Sequence, residues 1–293
     1  SLYKGCDYWV PPIISEELES MDKEKNPVFE NAEAEFYIAK KDGVTVGRIA
    51  AMVNWVEIEE QKKNKLRFGW YDTIDDLEVS KKLLESVIEF GKKRKLEFVD
   101  GPVGFSNMDK AGLLIEGYEE LNTMITWYHY PYQKEHLKKL GFSKLAEWVE
   151  YKIKIFSAED APEKVKKFSK IIQQRYELKV LNFKSRKEII PYVDKMFELL
   201  NVTYSNLQTY VTIKQYQIDF YKEKFIKYIH PDFIKCCLDK NDNLIAFLIT
   251  MPSFSRALKK INGKMGLMGY LRLFKAQHFN DRVSLYLIGV DPK

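Results

Sequence analysis

Cysteine is scarce in this chain, with 3 among 293 residues, and those three are poorly placed for joint chemistry. Cys6 stands alone, while Cys236 and Cys237 are adjacent and on a strand would point to opposite faces. There is no CxxC and no HExxH, and His129, His136, His230 and His278 share no metal-ligand spacing. The expectation is a reducing compartment and no metal. Long apolar runs are missing too: the longest, around Leu244 to Met251, falls far short of the roughly 18 residues of a membrane span. No basic-then-apolar leader opens the chain, so a soluble cytoplasmic protein without a membrane partner is expected. An excess of one charge is also lacking. The 47 basic and 42 acidic residues leave +5 with the signs interspersed, which argues against nucleic acid as a partner. The one dense basic cluster, Lys92 to Lys95, is read as closing a helix, where cations meet the negative helix end.

What is present is a globular composition, 45% apolar and 30% charged, of a length that suits two domains. Ala34 to Ala39 and Val44 to Val53 flank the turn Lys40-Lys41-Asp42-Gly43 and read as a hairpin. Leu66 to Thr73 is a third strand. A helix follows, with Val79, Leu83, Leu84, Val87 and Ile88 on one face and Asp75 and Glu78 spaced as a capping box. Glu97 to Phe105 is the next strand, Gln133 to Leu140 a short helix, and Trp148 to Phe156 a last strand. Ser157 and Asp160 can cap a helix running to about Arg175, with Val165, Phe168 and Ile172 inward.

From Leu178 a second series begins. Lys187 to about Tyr204 is a helix with Ile190, Val193, Phe197 and Leu200 on one stripe, and Ile213 to Ile229 is another. Phe233 to Met251 is a hairpin turning at Asn241-Asp242-Asn243. A Gly- and Met-containing helical segment, Lys259 to Phe279, precedes the terminal strand Ser284 to Val290. Its loose stripe of Ile261, Met265, Met268 and Leu271 suits either a lid or plain core packing. The two halves share an order: hairpin, connection, strand ending in a turn. The fold class is therefore mixed α/β of α+β type, with two similar domains: 1–156, a connecting helix 157–177, and 178–293.

This order resembles the GNAT superfamily of acetyl-CoA-dependent N-acyltransferases, in an uncharacterised tandem-domain branch. The residues that carry the resemblance are Asn26 to Asn54, Phe68 to Val87, Gly101 to Glu119, His230 to Lys264 and Leu285 to Lys293. The resemblance implies mainly antiparallel sheets flanked by helices, and a fourth strand whose backbone amides hold the pantetheine arm of acetyl-CoA. It also implies a glycine-rich turn opening a helix that holds the pyrophosphate. After Leu66 to Asp72 this chain has no such glycine, and Asp72, Asp75, Asp76 and Glu78 crowd the helix start, opposing phosphate. The first domain is therefore expected to be free of acetyl-CoA. The family's tyrosine acid, four residues before a Gly-Phe pair, is replaced by Leu137. By the same resemblance Leu287, Ile288, Gly289 and Val290 stand on the cofactor strand of the second domain, contacting through main-chain groups. Gly289 there suits a close approach, so Gly289→Val is expected to weaken binding more than folding. The matching phosphate turn is expected beyond Lys293, in a longer protein.

Tyr204, Asn206 and Tyr210 lie where the family lines its acceptor site; an ordinary polar helix end explains them equally well. Trp127 to Tyr132 can stack on a flat ligand or pack as a loop. No catalytic residue is assigned. Three functions stay open. One is acyl transfer from acetyl-CoA or another acyl-CoA to a small amine, sited in the second domain. Another is a non-catalytic binding or scaffolding role, and the third is aminoacyl transfer from charged tRNA, which the modest charge disfavours. Sequence does not reach the acceptor or the oligomeric state.

Overall fold

Asp42 and Gly43 both take positive φ, 50° and 78°, the backbone that joins two strands in a two-residue turn. They connect β1 (Ala32–Lys41) and β2 (Val44–Asn54), which pair antiparallel from Ala32↔Asn54 to Lys41↔Val44. The computed structural model describes residues 2–155, 157, 159–225 and 229–292. It has two four-stranded sheets with helices, a mixed α/β architecture. Among the described residues no helix is long and apolar enough to cross a membrane. The chain divides into two compact units: 1–147 with 208–211 and 252–282, and 148–207 with 212–251 and 283–293.

In the first unit β2 leads through the short helix α2 (Trp55–Glu59) to β3 (Lys65–Thr73), with which it pairs antiparallel, and β3 pairs parallel with β4 (Phe98–Asp100). The register slips between Arg48 and Ala50, so Trp70 and Tyr71 oppose the single residue Ile49, and Trp70 takes φ 48°. This bulge turns Trp70 into a cluster with Ala50, Met52 and Phe105, on the sheet face opposite the main core. On the other face α3 (Leu77–Lys93) lays Leu83, Leu84, Val87 and Phe90 over Ile49, Ala51, Leu66 and Phe68. Both faces being covered, β3 and most of β2 are buried along their length. Ile88 is exposed, and Phe90 and Gly91 complete the inner stripe instead; a Cβ on Gly91 would lie 2.8 Å from Leu66. The helix cap is Asp76, whose carboxylate accepts the Glu78 N–H at 3.0 Å, one residue later than expected.

Two cations sit inside β3. Arg67, with no exposed surface, grips Glu57 through Nε at 2.6 Å and Nη2 at 2.7 Å, and also donates to the carbonyls of Gly104 and Thr209. Lys65 reaches Glu57 at 3.1 Å and Asp100 at 2.9 Å. A buried guanidinium is tolerable only when its donors are met this fully. The bond to Thr209 draws residues 208–211 into the first unit, where Val211 N–H also donates to Asn107.

Of the expected strand 97–105, only β4 forms a continuous ladder; Val103 is paired separately, in a bridge to Ala111 and by its N–H on the Phe68 carbonyl. The helix at Gln133 is α4 (Pro131–Lys139), its entry closed by the Tyr130 N–H donating to Gln133 Oε1 at 2.8 Å. Residues 148–155 form no strand; their alternating apolar side chains lack a neighbouring strand, and Tyr151, Ile153 and Ile155 are exposed. Phe156 lies outside the described residues.

The second unit opens with α5 (Glu163–Arg175). Ser157 and Asp160 bond each other in a turn ahead of it rather than capping it, and Val165, Phe168 and Ile172 are exposed, not inward. The sheet order is β5 (Lys179–Asn182), β6 (Ile234–Leu238), β7 (Leu244–Pro252), β8 (Val283–Val290). The Asn241–Asn243 turn is held by the Asp239 carboxylate, which accepts from the Asn241 and Asn243 amides at 2.8 Å each. α6 (Arg186–Tyr204) packs on β8, burying Ile189, Val193, Met196 and Leu200. That stripe is offset from the expected one: the inward face begins at Ile189, leaving Ile190 exposed. α7 (Gln215–Phe225) is tied to α6 by Lys222 on Asp194 at 2.8 Å, and Asn201 brackets Ile213 through both its side-chain groups. The rest of the expected helix to Ile229 falls partly outside the described residues.

Between β7 and β8 the chain leaves this sheet and forms α8 (Ser255–Ile261) and α9 (Leu267–His278), which belong to the first unit. Asn262 and Gly263, at φ 52° and 79°, make the bend between them. Leu258 and Ile261 pack on Val10 and Ile13, just before α1 (Ile14–Met21).

Candidate functional site

Among the described residues β8 is the last strand of the second unit's sheet, with β7 as its neighbour. Successive residues of a strand direct their main-chain groups to opposite edges. The Asp291 N–H donates to the Ile245 carbonyl on β7 at 2.7 Å. Leu287, Ile288, Gly289 and Val290, expected to contact a cofactor by main chain, all lie on β8.

Tyr204, at the last turn of α6, which packs on β8, comes against the Ile288 main chain of that strand. Burial raises the Tyr204 pKa, and the Ile288 hydrogen bond works against that rise. A phenol accepting from the backbone still has its own proton to give. No acceptor for that proton is found among the described residues. Tyr204 and Ile288, named separately from sequence, are thus brought together. Asn206 is exposed in the turn after α6. Tyr210 is buried at 2% exposure within the first unit's 208–211 segment, so it does not join Tyr204 in one compact unit.

Gly289 has a different role from the one expected. Its α-carbon faces the ring of buried Phe247, and a Cβ there would lie 2.6 Å from Cε1. The glycine is required for sheet packing, so Gly289→Val disturbs folding directly.

The first unit has its corresponding strand, β3, already engaged. The Tyr71 carbonyl accepts from Gln133 Nε2 at 3.1 Å and the Thr73 carbonyl from the Tyr132 hydroxyl at 2.7 Å. α4 thereby fills the strand edge with its own side chains. Behind it runs a chain that sequence reading did not find: Tyr71 hydroxyl to Ser80 Oγ at 2.8 Å, Ser80 to His136 Nδ1 at 2.8 Å, and His136 Nε2 to Asp75 at 3.2 Å. The residue types are those of a nucleophilic triad. Ser80, however, has no exposed surface and already accepts from Tyr71, so no substrate carbonyl can approach it. The chain fastens α3 to α4.

A second polar cluster surrounds Asp72. Its carboxylate takes the Tyr3 hydroxyl and Arg48 Nε, both at 2.6 Å, and Arg48 leans on Glu17, which also accepts from Trp70 Nε1 at 2.7 Å. Lys110 nearby is held below its ordinary pKa by burial, although its side chain keeps partial solvent exposure. His129 is pushed down to about 4, chiefly by burial. The expected stacking run Trp127 to Tyr132 is spent internally, with Tyr130 stacked on both Tyr3 and Tyr132. Among the described residues no three of His, Cys, Asp and Glu converge as metal ligands.

Over 277 residues the chain is 24% identical to Protein YghO of Escherichia coli, spanning 93% of this chain and 68% of that protein. Over 146 residues it is 24% identical to a Caulobacter vibrioides protein named bacterial ceramide synthase, spanning 49% of this chain and 38% of that one. No family model matches the chain.

Proposed function

We propose that the chain is an N-acyltransferase of GNAT type, taking its acyl thioester along β8 with Tyr204 as proton donor. The carrying observation is the packing of α6 on β8, which sets Tyr204 against the Ile288 main chain. A pantetheine arm has amides that can pair with main-chain groups of such a strand, as a further strand would. The acceptor amine attacks the thioester carbon, the C–N bond forms and the C–S bond breaks, and the departing sulfur takes the Tyr204 proton. The amine's surplus proton passes to solvent and thence to the phenolate. Burial keeps that phenol protonated until the sulfur needs it.

Ceramide is an amide of a long-chain amino alcohol, so the name of the Caulobacter relative favours a long-chain lipid amine over a small soluble one. The occupied β3 edge favours a supporting role for the first unit. The test is release of free thiol from acetyl- and long-chain acyl-CoA in the presence of short amines and long-chain amino alcohols. Tyr204→Phe should lower kcat on the order of 10²-fold with little change in KM. Thiol release that Tyr204→Phe leaves untouched refutes the assignment, and none with any amine refutes acyl transfer.

A further inference from the structure

α9 has two faces of opposite character. Gly269, Leu273 and Ala276 recur at helical spacing and turn inward, Gly269 toward Met265 and Ile261 and Leu273 into the cluster with Val10 and Ile13. Leu267, Tyr270, Leu271 and Phe274 form the opposite stripe and are 80%, 64%, 54% and 60% exposed, with Met268 beside them at 59%. A helix anchored on one side and apolar on the other is not a frayed end. Its apolar outer face has to be covered by something.

Charge indicates what covers it. From Asn243 to Asn280 the sequence contains no Asp or Glu, but has Arg256, Lys259, Lys260, Lys264, Arg272 and Lys275. Lys259 is turned back onto the carbonyls of Cys6 and Asp7, Arg256 pairs with Asp281, and Arg272 donates to the Lys260 carbonyl. Lys260, Lys264 and Lys275 are exposed and make no ion pair among the described residues. A second copy of this chain is a poor cover, because a two-fold contact would set these cations against one another. A surface with an apolar interior and anionic headgroups satisfies both sets of side chains.

We propose that the outer face of α9 docks in the plane of an anionic lipid bilayer, with Leu267, Leu271 and Phe274 in the acyl boundary and Lys260, Lys264 and Lys275 among the headgroups. The expectation of no membrane partner rested on the absence of a spanning run, which does not bear on a helix lying in the interface. Docking is independent of the acyl-transfer reading and is measured without catalysis.

The test is co-sedimentation of the full chain with vesicles of phosphatidylcholine alone and of phosphatidylcholine with phosphatidylglycerol, at low and high salt. Binding to the anionic vesicles is expected, weakened by salt. Leu271→Glu with Phe274→Glu should lower it at least tenfold; both side chains are exposed, so the thermal unfolding midpoint should hold. Each of Lys260→Ala, Lys264→Ala and Lys275→Ala should lower anionic-vesicle affinity about fivefold. Tyr270→Trp should report entry of the face into lipid as a blue-shifted emission. Emission of the Tyr270→Trp variant left unshifted by vesicles, binding retained in the double Glu variant, or a solution dimer abolished by that double variant would each overturn the proposal.

Discussion

Acidification should destabilise the first unit through His129. The ring is 1% exposed, and its Nδ1 accepts the Leu114 N–H at 3.2 Å, so the neutral form carries its proton on Nε2. Protonating Nδ1 breaks that bond and places a cation in a buried site. Burial dominates in setting the pKa at about 4, with the Asp72 charge opposing the shift and Lys110 adding to it. An unfolded histidine titrates near 6.5. Between those values the unfolded chain binds more protons than the folded one, so stability falls as pH drops from about 6.5 to 4 and is unaffected by this group above that window. At pH 5 the loss is about 2 kcal/mol, rising to about 3 kcal/mol near pH 4. Urea unfolding at pH 7.5 and pH 5 should show it. Other carboxylates titrate there too, so the measurement is the difference between wild type and His129→Gln, whose amide oxygen can still accept from Leu114. The variant should lose less stability than wild type on acidification, by about 2 kcal/mol at pH 5. A wild-type-minus-variant difference that does not change with pH refutes the reasoning.

Three further outcomes follow from packing and buried charge. Glu57→Ala strands Arg67 and Lys65 without their shared carboxylate and should cost about 3–5 kcal/mol, read as a fall in Tm on the order of 10 °C; a cost within experimental error would mean water enters to replace it. Gly289→Val should destabilise the second unit by about 1–3 kcal/mol through overlap with Phe247, and Phe247→Leu in the same chain should recover part of that loss. Asp75→Asn should leave thiol release unchanged while weakening the His136 attachment, by about 1 kcal/mol in thermal unfolding; a large loss of activity would restore the catalytic reading of the Ser80 chain.

Much of the architecture was legible because it is local. The Asp42-Gly43 and Asn241–Asn243 turns announce their hairpins through residues that accept positive φ or cap the turn. α3 announces itself through a stripe that one amphipathic face requires. What failed depended on neighbours the chain reveals only in three dimensions. The alternation of 148–155 is a strand signal, yet a strand also needs a partner edge. Ile190 and Ile88 were each placed on an inner stripe by sequence spacing alone, and packing chose the adjacent residues. Tyr204 and Ile288 were legible as separate candidates, but the packing of α6 on β8 brings together residues 84 apart. The Ser80–His136–Asp75 chain was illegible because its spacing is irregular. Lys65 and Arg67 give one faint signal that was available: two cations in an apolar strand imply buried carboxylates to meet them.

The four residues at 208–211 fold with the first unit although helices of the second unit flank them in sequence. The Val211 amide is held by Asn107, while that of Ile213, two residues on, is held by Asn201 at 3.0 Å. Each amide exchanges with solvent only when its own bond opens. Deuterium uptake along this short stretch should therefore follow two clocks, Val211 keeping time with the sheet of β2 and β3 and Ile213 with α6. A peptide spanning residues 208–214 would record the opening rates of both units in one mass spectrum.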